Sequence, residues 1–238
     1  MAGHSKWANI KHRKDKSDKI KGKLFSRLAK EIISSVKMSG GDPKNNPRLR
    51  LAIQKAREAN MPTDNIDRNI KKALGGDQAD YQEITYEFYG YGGVGIIVQA
   101  MTDNKNRTAT EMRIATNKCG GTIASPGAVS FNFDRKGVIQ IDRKKIEEEK
   151  LLALAIEAGA DDFEAEEEGY MVLTEPTALY NVKEKLDEMG IKSDEADIEL
   201  IPKSTVSCNE EARKANLVLI EWLENLDDVD VVYHNMEL

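Results

Sequence analysis

Residues 138–201 read VIQIDRKKIEEEKLLALAIEAGADDFEAEEEGYMVLTEPTALYNVKEKLDEMGIKSDEADIELI and divide into six elements. Short apolar runs at Val138–Ile141, Asp162–Ala165, Tyr170–Leu173 and Ala196–Ile201 have the length and turn-bounded character of strands. Between them, Lys145–Ala158 and Pro176–Met189 carry apolar residues at helical spacing. The order is β-α-β-β-α-β, the split βαβ or ferredoxin-like arrangement.

Working outward, Tyr86–Tyr89 and Gly95–Met101 read as two strands about a glycine-rich turn. A helix over Thr108–Lys118 is opened by a capping box, Thr108 with Glu111. Val129, Phe131 and Phe133 alternate as a further strand. Beyond the six-element unit, a helix spans Asn209–Leu226, capped by Ser207 with Glu210, and Val229–Tyr233 is a last strand. One helix and one strand cannot bury their apolar faces alone. They complete the sheet begun before Phe133, which places the unit near Arg135–Lys203 as an insertion in a discontinuous domain.

At the other end, Ile20, Leu24, Leu28, Ile32 and Val36 repeat every four residues, with Phe25 and Ile33 widening the stripe. Asn46 before Pro47 opens a second helix whose apolar face is Leu49, Ala52, Ile53 and Ala56. A third is capped by Thr63, with Ile66, Ile70 and Leu74 directed inward and Gly75-Gly76 closing it. The expected fold is therefore α+β: a helical domain over residues 1–80, then two ferredoxin-like α/β domains. The middle one comprises residues 81–134 and 204–238, and the inserted one residues 135–203.

The 238 residues carry a net charge of −6, which conceals a sharp asymmetry. Residues 1–76 hold 19 Lys and Arg against 7 Asp and Glu; the remainder holds 16 against 34. A basic module on an acidic body points to an anionic partner met by the N-terminal third. Hydrophobic residues at 40% and charged residues at 32% describe a globular chain with a mainly aliphatic core. No apolar run suits a membrane span, and the start lacks the apolar segment of a signal peptide. Cys119 and Cys208 stand too far apart in sequence for a disulfide framework or a zinc motif. The expectation is a cytoplasmic protein.

Between Lys6 and Lys37 stand eleven basic residues and three acidic ones. The candidate nucleic-acid-binding residues are Lys6, Trp7, Lys11, His12, Arg13, Lys14, Lys16, Lys19, Lys23, Arg27 and Lys30. On a helix Lys16, Lys19, Lys23, Arg27, Lys30 and Lys37 share one sector opposite the apolar stripe, a row that can follow phosphates and release counterions. Trp7 suits stacking on a base, insertion at a groove, or packing on the helical domain. His12 suits a hydrogen bond or a pH-sensitive charge. Arg48, Arg50, Lys55, Arg57, Arg68, Lys71 and Lys72 extend the positive field.

Other signals carry less. Phe131 and Phe133 suit either core packing or base stacking, and no RNA-recognition motif accompanies them. Gly90, Gly92 and Gly95 spell G-x-G-x-x-G but precede a strand, which makes a hairpin turn and not a dinucleotide site. Residues 102–108, TDNKNRT, read either as a phosphate contact through Lys105 and Arg107 or as a turn with a capped helix. The acidic runs 147–149 and 164–168 lack the pattern of a calcium loop. His4, His12 and His234 have no metal-ligand spacing. No nucleophile and base are paired, so the reading is non-enzymatic, with no catalytic residue, cofactor, metal or small-molecule substrate.

The opening GHSKWANIKHRK (residues 3–14), SGGDPKNNPRLRLAIQKAREANMP (39–62), TDNKNRT, SPGAVSFNF (125–133) and the terminal LDDVDVVYHNMEL resemble the blocks of the YebC family over essentially the whole chain. The resemblance implies three domains, the third inserted in the second, and a cytoplasmic DNA-binding transcriptional regulator. The family's mitochondrial members resemble translational activators associated with mRNA and ribosome, and some bacterial relatives look like ribosome-acting factors. Lys6, Trp7, Lys11, Arg13 and Lys14 match the opening signature. Three expectations follow: a DNA-binding regulator of transcription; a translation factor on ribosomal RNA; or a basic domain docked on an acidic protein or on the chain's own body.

Overall fold

A computed structural model describes residues 21–76, 80–167 and 169–237. Helix α1 (Lys21–Ser39), α2 (Pro47–Glu58) and α3 (Thr63–Leu74) form the helical segment. Their apolar faces meet in one cluster that includes Leu28, Ile32, Ile33 and Val36 of α1 with Leu49, Ile53 and Ile66. Asn46 holds the α1–α2 connection. Its Oδ1 accepts from Leu49 N at 3.0 Å, and its Nδ2 donates to Ser35 O and Gly40 O, each at 2.8 Å. A buried amide satisfied at three points fixes the angle of a turn. Thr63 is the first residue of α3 and not its cap; Pro62 occupies that position without a side-chain bond. Leu74, expected inward, is 62% exposed, because the helix phase that buries Ile66 brings Ala73 to the core instead.

The first sheet has the strand order β3-β1-β2-β8, formed by β1 (Gln82–Tyr89), β2 (Gly95–Thr102), β3 (Thr122–Ile123) and β8 (Val229–His234). The β1–β2 hairpin closes through a 3-10 turn at Tyr91–Gly93, as expected for its glycines. Buried Asn216 grips that turn, accepting from Tyr91 N at 2.8 Å and donating to Tyr91 O at 2.9 Å. Strand β8 runs antiparallel to β2, with Ile96 opposite His234 and Val98 opposite Val232. Helices α4 (Lys105–Cys119) and α7 (Glu210–Glu224) pack against one another beside it.

The second sheet, β5-β6-β4-β7, is built from β4 (Phe133–Asp142), β5 (Asp162–Ala165), β6 (Gly169–Thr174) and β7 (Glu195–Pro202), with α5 (Glu148–Ala158) and α6 (Leu179–Glu188). All its pairings are antiparallel, and this is the strand order of a ferredoxin-like sheet. Its core includes Ile139, Ile141, Leu151, Tyr170, Val172 and Leu179. The chain is thus α+β, a helical segment followed by two four-stranded α/β sheets.

Several boundaries differ from the sequence reading. Helix α4 begins at Lys105, where Asn104 Oδ1 accepts from Arg107 N at 3.1 Å, so Thr108 lies inside the helix. Asn209, and not Ser207, caps α7. Lys145 sits in a turn closed by Asp142 O, and Glu175–Ala178 forms another turn before α6. Val129–Phe133 is not one strand: Ser130–Asn132 forms a 3-10 turn, leaving Phe131 70% exposed while Phe133 is buried.

The chain divides into two compact units. One contains Ser130–Ser207 with residues 235–237; the other contains residues 21–129 with Cys208–His234. The helical segment and the first sheet share the second of these.

Candidate nucleic-acid interface

Lys6, Trp7, Lys11, His12, Arg13, Lys14, Lys16 and Lys19 lie outside the described residues. The other three members of the predicted site, Lys23, Arg27 and Lys30, stand on one side of α1, and each contacts its own chain. Lys23 Nζ donates to Glu224 O and to Leu226 O, the latter at 2.7 Å. Arg27 Nη1 reaches Asp230 O at 3.4 Å. Lys30 Nζ donates to Met101 O at 3.1 Å and Asp227 O at 3.0 Å, and pairs with Asp228 Oδ1 at 3.3 Å. Apart from Met101 O, near the end of β2, these acceptors cluster at the C-terminal end of α7 and the start of β8. Unpaired carbonyls at a helix C-terminus attract cations. Burial lowers the Lys23 pKa, opposed by Asp227, Glu224 and Asp230 and assisted by Lys30.

Asp228 forms the centre of this arrangement, with only 3% of its surface exposed. Its carboxylate accepts from Arg107 Nη2 at 2.7 and 2.9 Å, Arg107 Nε at 3.2 Å, Thr108 Oγ1 at 2.8 Å and Thr102 Oγ1 at 3.0 Å. Burial acts to raise its pKa, but the hydrogen bonds from Arg107, Thr108 and Thr102, with the charge of Lys30, outweigh it and hold the pKa below the usual value. The 102–108 segment is therefore a capped turn whose Thr102, Arg107 and Thr108 bind a carboxylate of the same chain. Lys105 and Asn106 remain exposed at the helix start. Such a node fixes α1, α4 and β8 together.

Asp230 behaves oppositely. Burial pushes its pKa up to about 6, only partly offset by Arg27 and Lys30 and reinforced by Glu31 and Glu83. A carboxyl with a raised folded-state pKa contributes stability in acid that declines as pH rises from its unfolded value, near 4, through about 6. Asp230→Asn is expected to remove that decline and to leave the protein more stable than the parent at pH 7. Urea unfolding at pH 4.5 and pH 7 measures both; an unchanged pH dependence would rule this out.

The comparisons with known proteins agree across the chain. A model of the TACO1/YebC protein N-terminal domain matches residues 5–76, and one of the TACO1/YebC second and third domain matches residues 81–236. The chain belongs to the TACO1/YebC family. A probable transcriptional regulatory protein of Protochlamydia amoebophila is 63% identical over 238 residues, covering 100% of this chain and 97% of the relative. Another, from Chlamydia muridarum, is 57% identical, covering 99% of this chain and 100% of the relative. The crystal structure of a conserved hypothetical protein from Aquifex aeolicus superposes with a TM-score of 0.86 at 46% identity, covering 98% of this chain and 97% of that one.

In this YebC-family chain other cations of the helical segment face solvent. Lys44, Arg50, Arg57, Arg68, Lys71 and Lys72 are exposed, and none is in a salt bridge among the described residues. Lys37 and Arg48 are instead paired, with Asp80 and Glu83. The three-way partnership of Lys23, Lys30 and Arg107 around residues 224–228 was not read from sequence. Most of its acceptors are main-chain carbonyls, invisible to charge counting; its one sequence signal is the acidic run Asp227-Asp228. Among the described residues no group of three or more His, Cys, Asp or Glu is arranged to hold a metal ion, and no helix is long and apolar enough to cross a membrane.

Proposed function

We propose that the protein is a non-enzymatic, cytoplasmic, nucleic-acid-binding regulator, first of all a DNA-binding regulator of transcription. In this reading the basic N-terminal domain makes the contact. One observation carries it: six exposed cations of the helical segment have no acidic partner among the described residues, on a chain whose remaining residues are strongly acidic. Residues 1–20 add six Lys and Arg against two Asp. The names of the relatives, probable transcriptional regulatory proteins, support the same reading. The division into residues 1–80, 81–134 with 204–238, and 135–203 is part of the proposal.

A second reading, a translation factor on ribosomal RNA or mRNA, is favoured by Phe131. This ring is exposed on the turn before β4, with Lys203 Nζ donating to its carbonyl at 2.9 Å. An exposed aromatic beside a lysine suits stacking on an unpaired base. Cross-linking in living cells, with sequencing of both attached DNA and attached RNA, separates the two. Discrete promoter DNA supports transcription, and enriched ribosomal RNA supports translation. In vitro, neutralising about six phosphates predicts a log-log salt slope near −5. A slope near zero, with neither nucleic acid enriched in cells, would overturn both readings.

A further inference from the structure

The helical segment has a corner where α1 ends, α2 begins and α3 ends, and two large apolar side chains stand out from it. Met38 is 69% exposed and Leu74 62%. They belong to one locality. A Cβ placed on Gly41 would lie 2.9 Å from Leu74 Cδ1, so the connection after α1 rests on the end of α3. Arg48 Nη1 lies 3.1 Å from Met38 Sδ. Arg50, one turn into α2, reaches back to Pro43 O at 3.4 Å. Lys44 lies in that same connection, and Lys71 and Lys72 are on the last turn of α3, beside Leu74.

Three acids near this corner, among the described residues, are already engaged. Asp42 accepts from Lys44 N at 3.0 Å and Asn45 Nδ2 at 2.8 Å, closing the turn. Asp80 pairs with Lys37, and Glu83 with Arg48. Lys44, Arg50, Lys71 and Lys72 retain their charges without a carboxylate partner among the described residues. By contrast, Lys23, Arg27 and Lys30 on α1 contact the end of α7 and the start of β8. Within the described residues, these three members of the row that most resembles a phosphate track are thus directed at the protein itself.

The geometry points to the Met38–Leu74 corner as a nucleic-acid contact: Lys44, Arg50, Lys71 and Lys72 bind phosphates while Met38 and Leu74 lie against bases or sugars. Cations placed around exposed Met or Leu are the elements of a side-chain wedge set against a base step. Arg57 and Arg68, exposed on the same two helices, extend the charge over a length suited to a polyanion better than to a short acidic peptide. This inference rests on the nucleic-acid reading above and adds to it which surface makes the contact.

Fluorescence anisotropy of the full chain with a 20-base-pair DNA duplex and a 20-nucleotide RNA, across a salt series, tests it. Replacing Lys44, Arg50, Lys71 and Lys72 together by Gln is expected to reduce the magnitude of the duplex salt slope by about three to four. Met38→Ser with Leu74→Ser is expected to weaken binding several-fold at constant slope. Thermal unfolding of each variant confirms the fold, and single Gln replacements, each reducing the slope by about one, serve if the fourfold variant does not fold. Parent-like slopes in folded variants overturn the corner but leave the regulator reading standing; an acidic protein that binds the parent but not the Gln variant would then be the occupant. A parent chain that binds neither probe removes the regulator reading and the corner together.

Discussion

Asp228→Asn is expected to destabilise the protein by about 3 kcal/mol, the scale of removing one partner from a buried ion pair. The buried carboxylate accepts from Arg107, Thr108 and Thr102 and pairs with Lys30. An amide keeps one acceptor oxygen but loses the negative charge and presents a donor at the other position, so Arg107 retains only Asp103 as a carboxylate partner and Lys30 only its main-chain acceptors. Arg107 is 45% exposed at its side chain and regains water, which keeps the cost toward the lower end of that scale. The sign with pH follows from the lowered pKa. Stability from Asp228 is present above the unfolded value, near 4, and is lost as pH falls through the folded value. The gap between parent and variant should therefore be widest at neutral pH and shrink in acid. Urea unfolding measures it, and a loss under about 1 kcal/mol at pH 7 would reject the node as a stabilising centre.

Gly120→Ala is expected to cost about as much, for a different reason. Gly120 ends α4 at φ 81° and ψ −166°, a region essentially closed to residues with a Cβ. The added carbon would also lie 1.8 Å from the Tyr91 hydroxyl oxygen. The tyrosine can swing away, since it is partly exposed, but the backbone strain cannot be relieved without moving the start of β3. A total of about 3 kcal/mol combines strain with residual crowding. Gly159→Ala is the control. That glycine caps α5 at φ 98° and ψ 33° with open space around it, so about 1–2 kcal/mol is expected from the left-handed conformation alone. Equal losses at the two positions, read by urea unfolding, would contradict this account.

The elements most legible in the sequence were those whose burial is periodic. Leu28, Ile32 and Val36 announce α1, and the apolar runs of β4, β6 and β7 announce the ferredoxin-like sheet. Helix starts were less legible, because several polar residues compete to cap. Asn104 and Asn209 hold positions where Thr108 and Ser207 were equally credible by type. The turn at Ser130–Asn132 illustrates another limit. Alternation of Val129, Phe131 and Phe133 is a strand signal only when the residues are extended, and here Phe131 faces solvent. For the candidate site, residue type was readable but direction was not. The α1 cations are spaced as a phosphate-binding row would be, yet the same spacing suits carbonyls at a helix end. Only the tertiary structure distinguishes the two.

The bonds from Lys23 to Glu224 join positions 201 residues apart, and β8, which completes the first sheet, comes last of all the strands. During synthesis the N-terminal helices therefore emerge long before their acceptors exist. Until the final segment leaves the ribosome, α1 keeps its ammonium groups unspent and β2 keeps an open edge. A chain cut short before residue 224 would carry on α1 three bare cations, Lys23, Arg27 and Lys30, that the finished protein has matched with its own acceptors.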